Sequence, residues 1–339
     1  MRNFRGLPAS LVLLVACFAW PAQAATCNHA DLDAQYCVDG DKMVAAPPTD
    51  PKDLKDPSTL VFAYTPVEDP AVYANAFKPF VNYLEKCTGK KVVYYPVLSN
   101  AAEVEAMRSG RLHVAGFSTG PTAFAVNLAG AIPFAVKGDP KAYESYRMIM
   151  IVRADSKFKT LTDLKGARVA HTAASSNSGN LAPRALFPEL GLTPDKDYKV
   201  IYSGGHDRTV LGVKAGDYDG GTVASDVFER MAARGDIKES DFRIIYRSEP
   251  FPTSGFAYAH DLKPALAQKI VQCFYDFRFP PEMQKEFAGG VDRFWPANYK
   301  KDWAVIRKIA DATGAPYDRA AFDSEAKKEE EALAKKKKP

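Results

Sequence analysis

The 339-residue chain is poor in the side chains that most often carry covalent or metal chemistry: five cysteines and five histidines, with no Cys-x-x-Cys and no Cys/His spacing of the zinc-binding kind. It also lacks a G-x-S-x-G elbow, a Walker phosphate loop and an H-E-x-x-H helix, so enzymatic turnover is not expected. Excess charge is missing as well. Basic and acidic residues number 45 and 41, a formal net charge of +4 that the terminal run of lysines alone could account for. Without a basic stripe to track a phosphate backbone, no nucleic-acid partner is expected. Past residue 24 no apolar run is long enough to span a bilayer, and no fixed-period repeat occurs. What remains is a globular composition, 46% apolar and 25% charged, with length enough for two domains.

Residues 1–24 read as a signal peptide: Arg2 and Arg5 form the positive end, Leu7 to Trp20 the apolar run, and Ala22-Gln23-Ala24 the cleavage site. A competing reading takes Leu14-Val15-Ala16-Cys17 as a lipobox, which would leave Cys17 acylated and the protein tethered as a lipoprotein. Removal of the leader leaves Cys27, Cys37, Cys87 and Cys273 in an oxidising compartment. Cys27 and Cys37 bracket a short loop and are expected to pair. Cys87 and Cys273 can pair only if two distant helices pack together. Residues 25–57, punctuated by Pro47, Pro48, Pro51 and Pro57, read as a polar extension before the fold begins. Asp31, Asp33, Asp39, Gly40 and Asp41 lack the alternation and final Glu of a calcium loop and read as a solvated acidic loop.

From Leu60 the pattern alternates strand and helix: LVFAY, KVVYYPV and LHVAGF each precede a helical stretch. A second series follows with RMIMIV, ARVAHT, YKVIYS, a short strand at Gly221 to Val223, FRIIYR and GFAYA. This is α/β architecture in two lobes, residues 58–148 with 256–322 and residues 149–255, with RMIMIV and GFAYA as the hinge-crossing strands. The segment 323–339, helix-prone and fully charged, reads as a solvated tail.

Four strand-to-helix junctions are rich in hydroxyl, amide or glycine residues: Ser99-Asn100, Ser118-Thr119-Gly120-Pro121, Ser175-Ser176-Asn177-Ser178-Gly179 and Ser203-Gly204-Gly205-His206-Asp207. In open α/β sheets such junctions face the crevice at the carboxyl ends of the strands. A helix start offers unpaired N–H groups and a positive dipole end, which hold a tetrahedral anion without any formal cation. Single junctions of this kind are usually plain caps, but the run Ser175 to Gly179 exceeds what a cap requires and is where the ligand is expected. His171 reads as a packing residue, and Arg184 and Arg208 as solvent-facing by default.

On these residues the chain resembles a known family. SSNSGNLAP, SGGHDRTVLGVKAGDYD and FAYTPVEDP are similar to segments of the phosphate/phosphite/phosphonate substrate-binding proteins of ABC transporters, over roughly Leu60 to Ala310. The resemblance implies a type II, Venus-flytrap periplasmic protein, monomeric and without cofactor. Its small phosphorus oxyanion would be held by Ser176, Asn177 and Ser178, with His206 donating a hydrogen bond and Ser175, Ser118, Thr119 and Tyr64 nearby. At the positions where relatives surround an ammonium group, this chain has Asn100, Phe117, Asp226 and Ser254, and only Asp226 is acidic. That departure implies phosphate, phosphite or methylphosphonate rather than an aminoalkyl phosphonate, handed to an ABC permease. The alternative within the same fold is a periplasmic oxyanion sensor that docks to a histidine kinase.

Overall fold

The structure, a computed structural model, describes residues 27–287, 290–314 and 316–336. The leader, its cleavage site and Cys17 lie outside them. Eleven strands form two sheets. The six-stranded sheet, ordered β11-β4-β10-β3-β1-β2, contains β1 (Thr59–Tyr64), β2 (Lys91–Tyr94), β3 (Val114–Phe117), β4 (Ala131–Gly138), β10 (Gly255–Ala259) and β11 (Arg293–Pro296). The five-stranded sheet, ordered β7-β6-β8-β5-β9, contains β5 (Ser145–Arg153), β6 (Arg168–His171), β7 (Lys199–Tyr202), β8 (Gly220–Ala224) and β9 (Phe242–Pro252). In each sheet three neighbouring strands run parallel, β2-β1-β3 and β7-β6-β8. Their carboxyl ends therefore open toward a shared seam.

The chain passes between the sheets twice, through residues 139–144 and through residues 253–254. RMIMIV and GFAYA each follow one of these crossings. They are wholly buried apart from Arg147 and Tyr258, because each runs through the interior of its sheet.

Helices pack on both sheets: α1 (Pro70–Ala76), α2 (Lys78–Thr88), α3 (Asn100–Arg108), α4 (Thr119–Ala129), α5 (Ala182–Leu186), α6 (His206–Ala215), α7 (Ser225–Arg234) and α8 (Pro264–Asp276). The two short helices α9 (Pro281–Gln284) and α10 (Tyr299–Asp302) lead to α11 (Ala304–Thr313) and α12 (Arg319–Lys336). One wide turn, Asn177–Leu181, runs directly into α5. The core of the larger sheet is aromatic. Phe80, Phe256, Phe274 and Phe294 meet with ring centroids 4.6–5.6 Å apart, in edge-on and tilted arrangements of the kind the ring quadrupole favours. Cys87 on α2 and Cys273 on α8 form a disulfide across this core, and Cys27 pairs with Cys37.

Two terminal segments depart from the sequence reading. Residues 27–57 are built into the fold: Leu32, Tyr36, Val44 and Ala45 are buried, and Tyr36 stacks edge-on against His260. The Asp33 N–H donates to the Asn127 carbonyl, and Lys55 bridges to Leu262. The C-terminal segment is likewise no solvated tail. α12 buries Phe322 and, seven residues on, Glu329, so one face of an outwardly charged helix is turned inward. It lies against α3 and sets Phe322 on Phe124 of α4, while α11 packs on α4, all of whose residues are buried. A carboxylate on the inward stripe disguises that stripe in any count of hydrophobic positions.

Candidate functional site

The seam between the sheets holds a small cavity of about 30 Å³. Four helix starts converge on it: Thr119 of α4, Asn177 and Ser178 of the wide turn, His206 of α6 and Asp226 of α7. Glycines let the backbones approach. A Cβ at Gly179 would sit 1.7 Å from the Thr172 hydroxyl, and one at Gly120 would sit 2.4 Å from the Ser175 carbonyl across the seam.

Of the ten candidate residues, eight line this cavity: Tyr64, Ser118, Thr119, Ser176, Asn177, Ser178, His206 and Asp226. Ser175 and Asn100 do not. They belong to a neighbouring cluster organised by Glu329 of α12. Ser175 Oγ donates to Glu329 Oε1 at 2.5 Å, Asn100 Nδ2 donates to Ser175 Oγ at 3.0 Å, and the Ala101 N–H donates to Glu329 Oε2 at 3.3 Å. The α3 start thus meets a carboxyl group of the same chain rather than the cavity. Tyr146, Thr253 and Ser254 also line the cavity, at or beside the crossings. That hinge segments must border the seam is the signal that could have found Tyr146 and Thr253; Ser254 is already marked by the family resemblance.

Several donors have fixed directions. The His206 Nδ1 lies 3.1 Å from the Ala224 N–H, which can only donate, so Nδ1 accepts and the ring proton sits on Nε2. Burial drives the His206 pKa down to about 4, so the ring is a neutral donor at any ordinary pH. Ser176 Oγ accepts from the Gly179 N–H at 3.1 Å, which leaves its own O–H to donate. Asn177 Nδ2 donates to Tyr146 Oη at 3.1 Å. The buried Asn177 Oδ1 and Thr253 Oγ1 have no hydrogen-bond partner among the described residues, the arrangement expected where a polar guest completes the set.

Among the described residues Asp226 is the one carboxylate lining this cavity. Burial pushes its pKa up, but Arg230, whose Nη1 lies 2.8 Å from Oδ2, more than offsets this and holds it below the usual carboxylate value. Arg230 also reaches across the seam to Glu68 at 2.7 Å, as does Arg234 at 2.6 Å, and Tyr73 Oη donates to the same carboxylate at 2.9 Å. The His206 N–H adds a backbone bond to the Val67 carbonyl across the same seam.

His171, fully buried, sits between Asn180 Oδ1 at 2.9 Å and Tyr198 Oη at 2.8 Å and packs rather than lines the cavity. Arg184 is held by Asn180 and Asp195, and Arg208 is exposed. A far larger groove, about 1020 Å³, runs between Arg184, Tyr202 and α12. It does not gather helix starts and therefore lacks the feature that makes the small cavity an anion site.

Comparison with known proteins places the chain in a family. A family model described as "ABC transporter, phosphonate, periplasmic substrate-binding protein" matches residues 62–303. The phosphate-import protein PhnD of Mycolicibacterium smegmatis is 30% identical over 282 residues, covering 76% of this chain and 87% of that protein. The probable ABC transporter phosphite binding protein PhnD1 of Prochlorococcus marinus is 25% identical over 200 residues, 57% of this chain and 67% of that one. The solved structure of Prochlorococcus marinus PhnD1 in complex with methylphosphonate superposes with a TM-score of 0.68 at 20% identity, over 76% of this chain and 99% of that one. A binding-protein component of an ABC phosphonate transporter from Pseudomonas aeruginosa gives 0.69 at 20% identity, over 84% and 100%.

Proposed function

The chain belongs to the family of periplasmic substrate-binding proteins of phosphonate ABC transporters, and from that premise we propose that it captures a small, singly protonated phosphorus oxyanion, phosphate, phosphite or methylphosphonate, for ABC-transporter uptake. The observation that carries the reading is the pairing, in one small cavity, of several helix-start donors with a single ionised carboxylate, Asp226.

Helix-start N–H groups, the Ser176 hydroxyl and the His206 Nε2–H can only be satisfied by acceptors, so they suit bare oxygens. An ionised Asp226 can only accept, so it requires a proton on the guest. A hydrogen phosphate or a protonated phosphonate offers both. Sulfate, which carries no proton near neutrality, would leave Asp226 facing an oxygen. An aminoalkyl phosphonate would bring an ammonium group to a site whose one carboxylate is already neutralised by Arg230. The cavity is also small for such an arm.

Uptake follows from closure. The anion bridges residues that follow β1 and β3 on one side and β6, β7 and β8 on the other, so binding favours the closed arrangement of the lobes that a membrane permease would receive. The protein would act by binding, as a monomer, after removal of residues 1–24, a segment outside the described residues. The sensing alternative draws no support from these relatives, whose printed names are those of import and binding proteins.

Calorimetry on the mature protein with phosphate, phosphite, methylphosphonate, aminoethylphosphonate and sulfate tests the reading. Tight binding of one small phosphorus anion is expected, with weak binding of sulfate and of the amino compound. Ser178→Ala and His206→Ala should each weaken it about tenfold or more, the loss of one hydrogen bond to a charged group. Equal affinity for sulfate and phosphate would overturn the proposal.

A further inference from the structure

Behind the cavity wall lies a charged side chain that the binding scheme has not used. Lys137, on β4, is 2% exposed. Its ammonium lies 3.1 Å from Glu144 in the first crossing and over the rings of Tyr64 and Phe287, at 5.5 and 5.2 Å from their centroids. It also donates to Tyr64 Oη at 3.1 Å, and Tyr64 Oη in turn donates to Ser254 Oγ at 3.1 Å. Tyr64 and Ser254 line the cavity, whereas Lys137 does not.

The direction of this chain follows from proton counting. An ammonium has no lone pair and can only donate, so Tyr64 Oη must accept from Lys137. The single phenolic proton then goes onward to Ser254 Oγ. Ser254, having accepted, keeps its own proton for whatever lies in the cavity. We propose that Lys137 is a specificity-determining positioning residue: acting through Tyr64, it commits the Ser254 hydroxyl to donate, so that this corner of the cavity reads an unprotonated oxygen of the bound anion. A P–H or P–CH3 group placed there would leave a buried donor unpaired, and a P–OH could accept there only by turning its own proton to another partner. Asp226 demands the guest's proton on its own side, so the two corners together orient the anion. Chains of bonds that begin on an ion polarise each member in turn, so the ammonium also strengthens the last donor.

The inference rests on the proposed capture of a phosphorus oxyanion and is tested on the full mature protein. The probe is whichever of phosphate, phosphite and methylphosphonate the wild type binds most tightly, titrated into Lys137→Met, Tyr64→Phe, Ser254→Ala and the Lys137→Met/Ser254→Ala double variant at pH 6 and pH 8. Lys137→Met and Tyr64→Phe should each lower affinity about tenfold, as expected for a charge-assisted bond. In the Ser254→Ala background the lysine substitution should cost no more than about twofold, since coupled residues are non-additive. Freed from its donor role, Ser254 can accept, so both single variants should shift the pH 6 to pH 8 affinity ratio toward the more protonated anion. If Lys137→Met does not fold, Tyr64→Phe carries the same test alone. Additive losses, or an unchanged pH ratio, would overturn the relay while leaving capture intact. A wild type that binds none of the three anions would overturn capture itself, and the relay with it.

Discussion

Two carboxylates close the same seam from different sides, and their surroundings are opposites. Glu68, after β1, is gripped by Arg230 and Arg234 from α7 and by Tyr73. Burial works against its charge, but the two guanidinium groups win and hold its pKa below the usual value. Glu329, on α12, has as hydrogen-bond partners among the described residues only Ser175, Asn100 and the Ala101 N–H. There burial wins over those hydrogen bonds and its pKa is raised. One clasp is an ion pair and the other is close to a neutral hydrogen-bond cluster. The lesson is that crossing a buried seam with an acid does not fix its charge; the partners do.

The contrast can be broken most severely at Glu68. Glu68→Ala leaves two arginines facing a buried void, and loss of one partner of a buried pair costs about 3–5 kcal/mol. We expect a large fall in unfolding free energy by urea titration and an expanded scattering profile; an unchanged profile and midpoint would mean that the clasp holds nothing. Ser175→Ala should be milder, about 1–3 kcal/mol for a buried acceptor deprived of its donor, read in the same denaturation series. Restoration by Ser175→Thr, which keeps the hydroxyl, would separate the hydrogen bond from mere packing.

Acidity sharpens the contrast further. A raised folded pKa contributes stability that is present below the unfolded value, about 4.3 for Glu, and is lost as pH rises through the folded pKa. The Glu329 cluster should therefore tighten on acidification from neutrality. Glu68, with a lowered pKa, contributes stability present above the ordinary Glu range, and loses it only as pH falls through that lowered value. Glu329→Gln should flatten the pH dependence, its melting temperature rising relative to wild type by a few degrees between pH 5 and pH 8. A constant offset would show that Glu329 is ionised throughout. The smallest expected effect is at His206, already neutral above about pH 4: in the ligand-free protein its ring resonances, followed by NMR, should show no titration step near the ordinary histidine value of about 6.5.

The same pair explains how much could be read from the chain alone. Glu68 lies in FAYTPVEDP, beside a recognisable strand, and the Ser-rich and His-bearing junctions were legible because strand ends, caps and glycines are local signals. The α7 start was seen only through Asp226, since Ala224-Ser225 looks like an ordinary strand-to-helix step. The α3 start was misassigned because its occupant is 228–229 residues away in sequence, and no local pattern announces a contact of that range. Lys137 was invisible for a related reason: the strand that carries it, Ala131–Gly138, was not among the strands read from the sequence, and its burial is set by Glu144 and two rings brought in by the fold.

The disulfide between Cys87 and Cys273 spans 186 residues and encloses the whole five-stranded sheet. During export Cys87 must therefore wait for its partner until about four-fifths of the chain has emerged, while Cys27 can find Cys37 only ten residues on. Early closure of that short ring removes the two thiols that could trap Cys87 in a wrong pairing. Once the long ring shuts, a protease nick at one crossing releases no fragment until a reductant is added, because Cys87 and Cys273 hold the two parts of the host lobe together; a second nick at the other crossing would free the inserted lobe, which carries no cysteine.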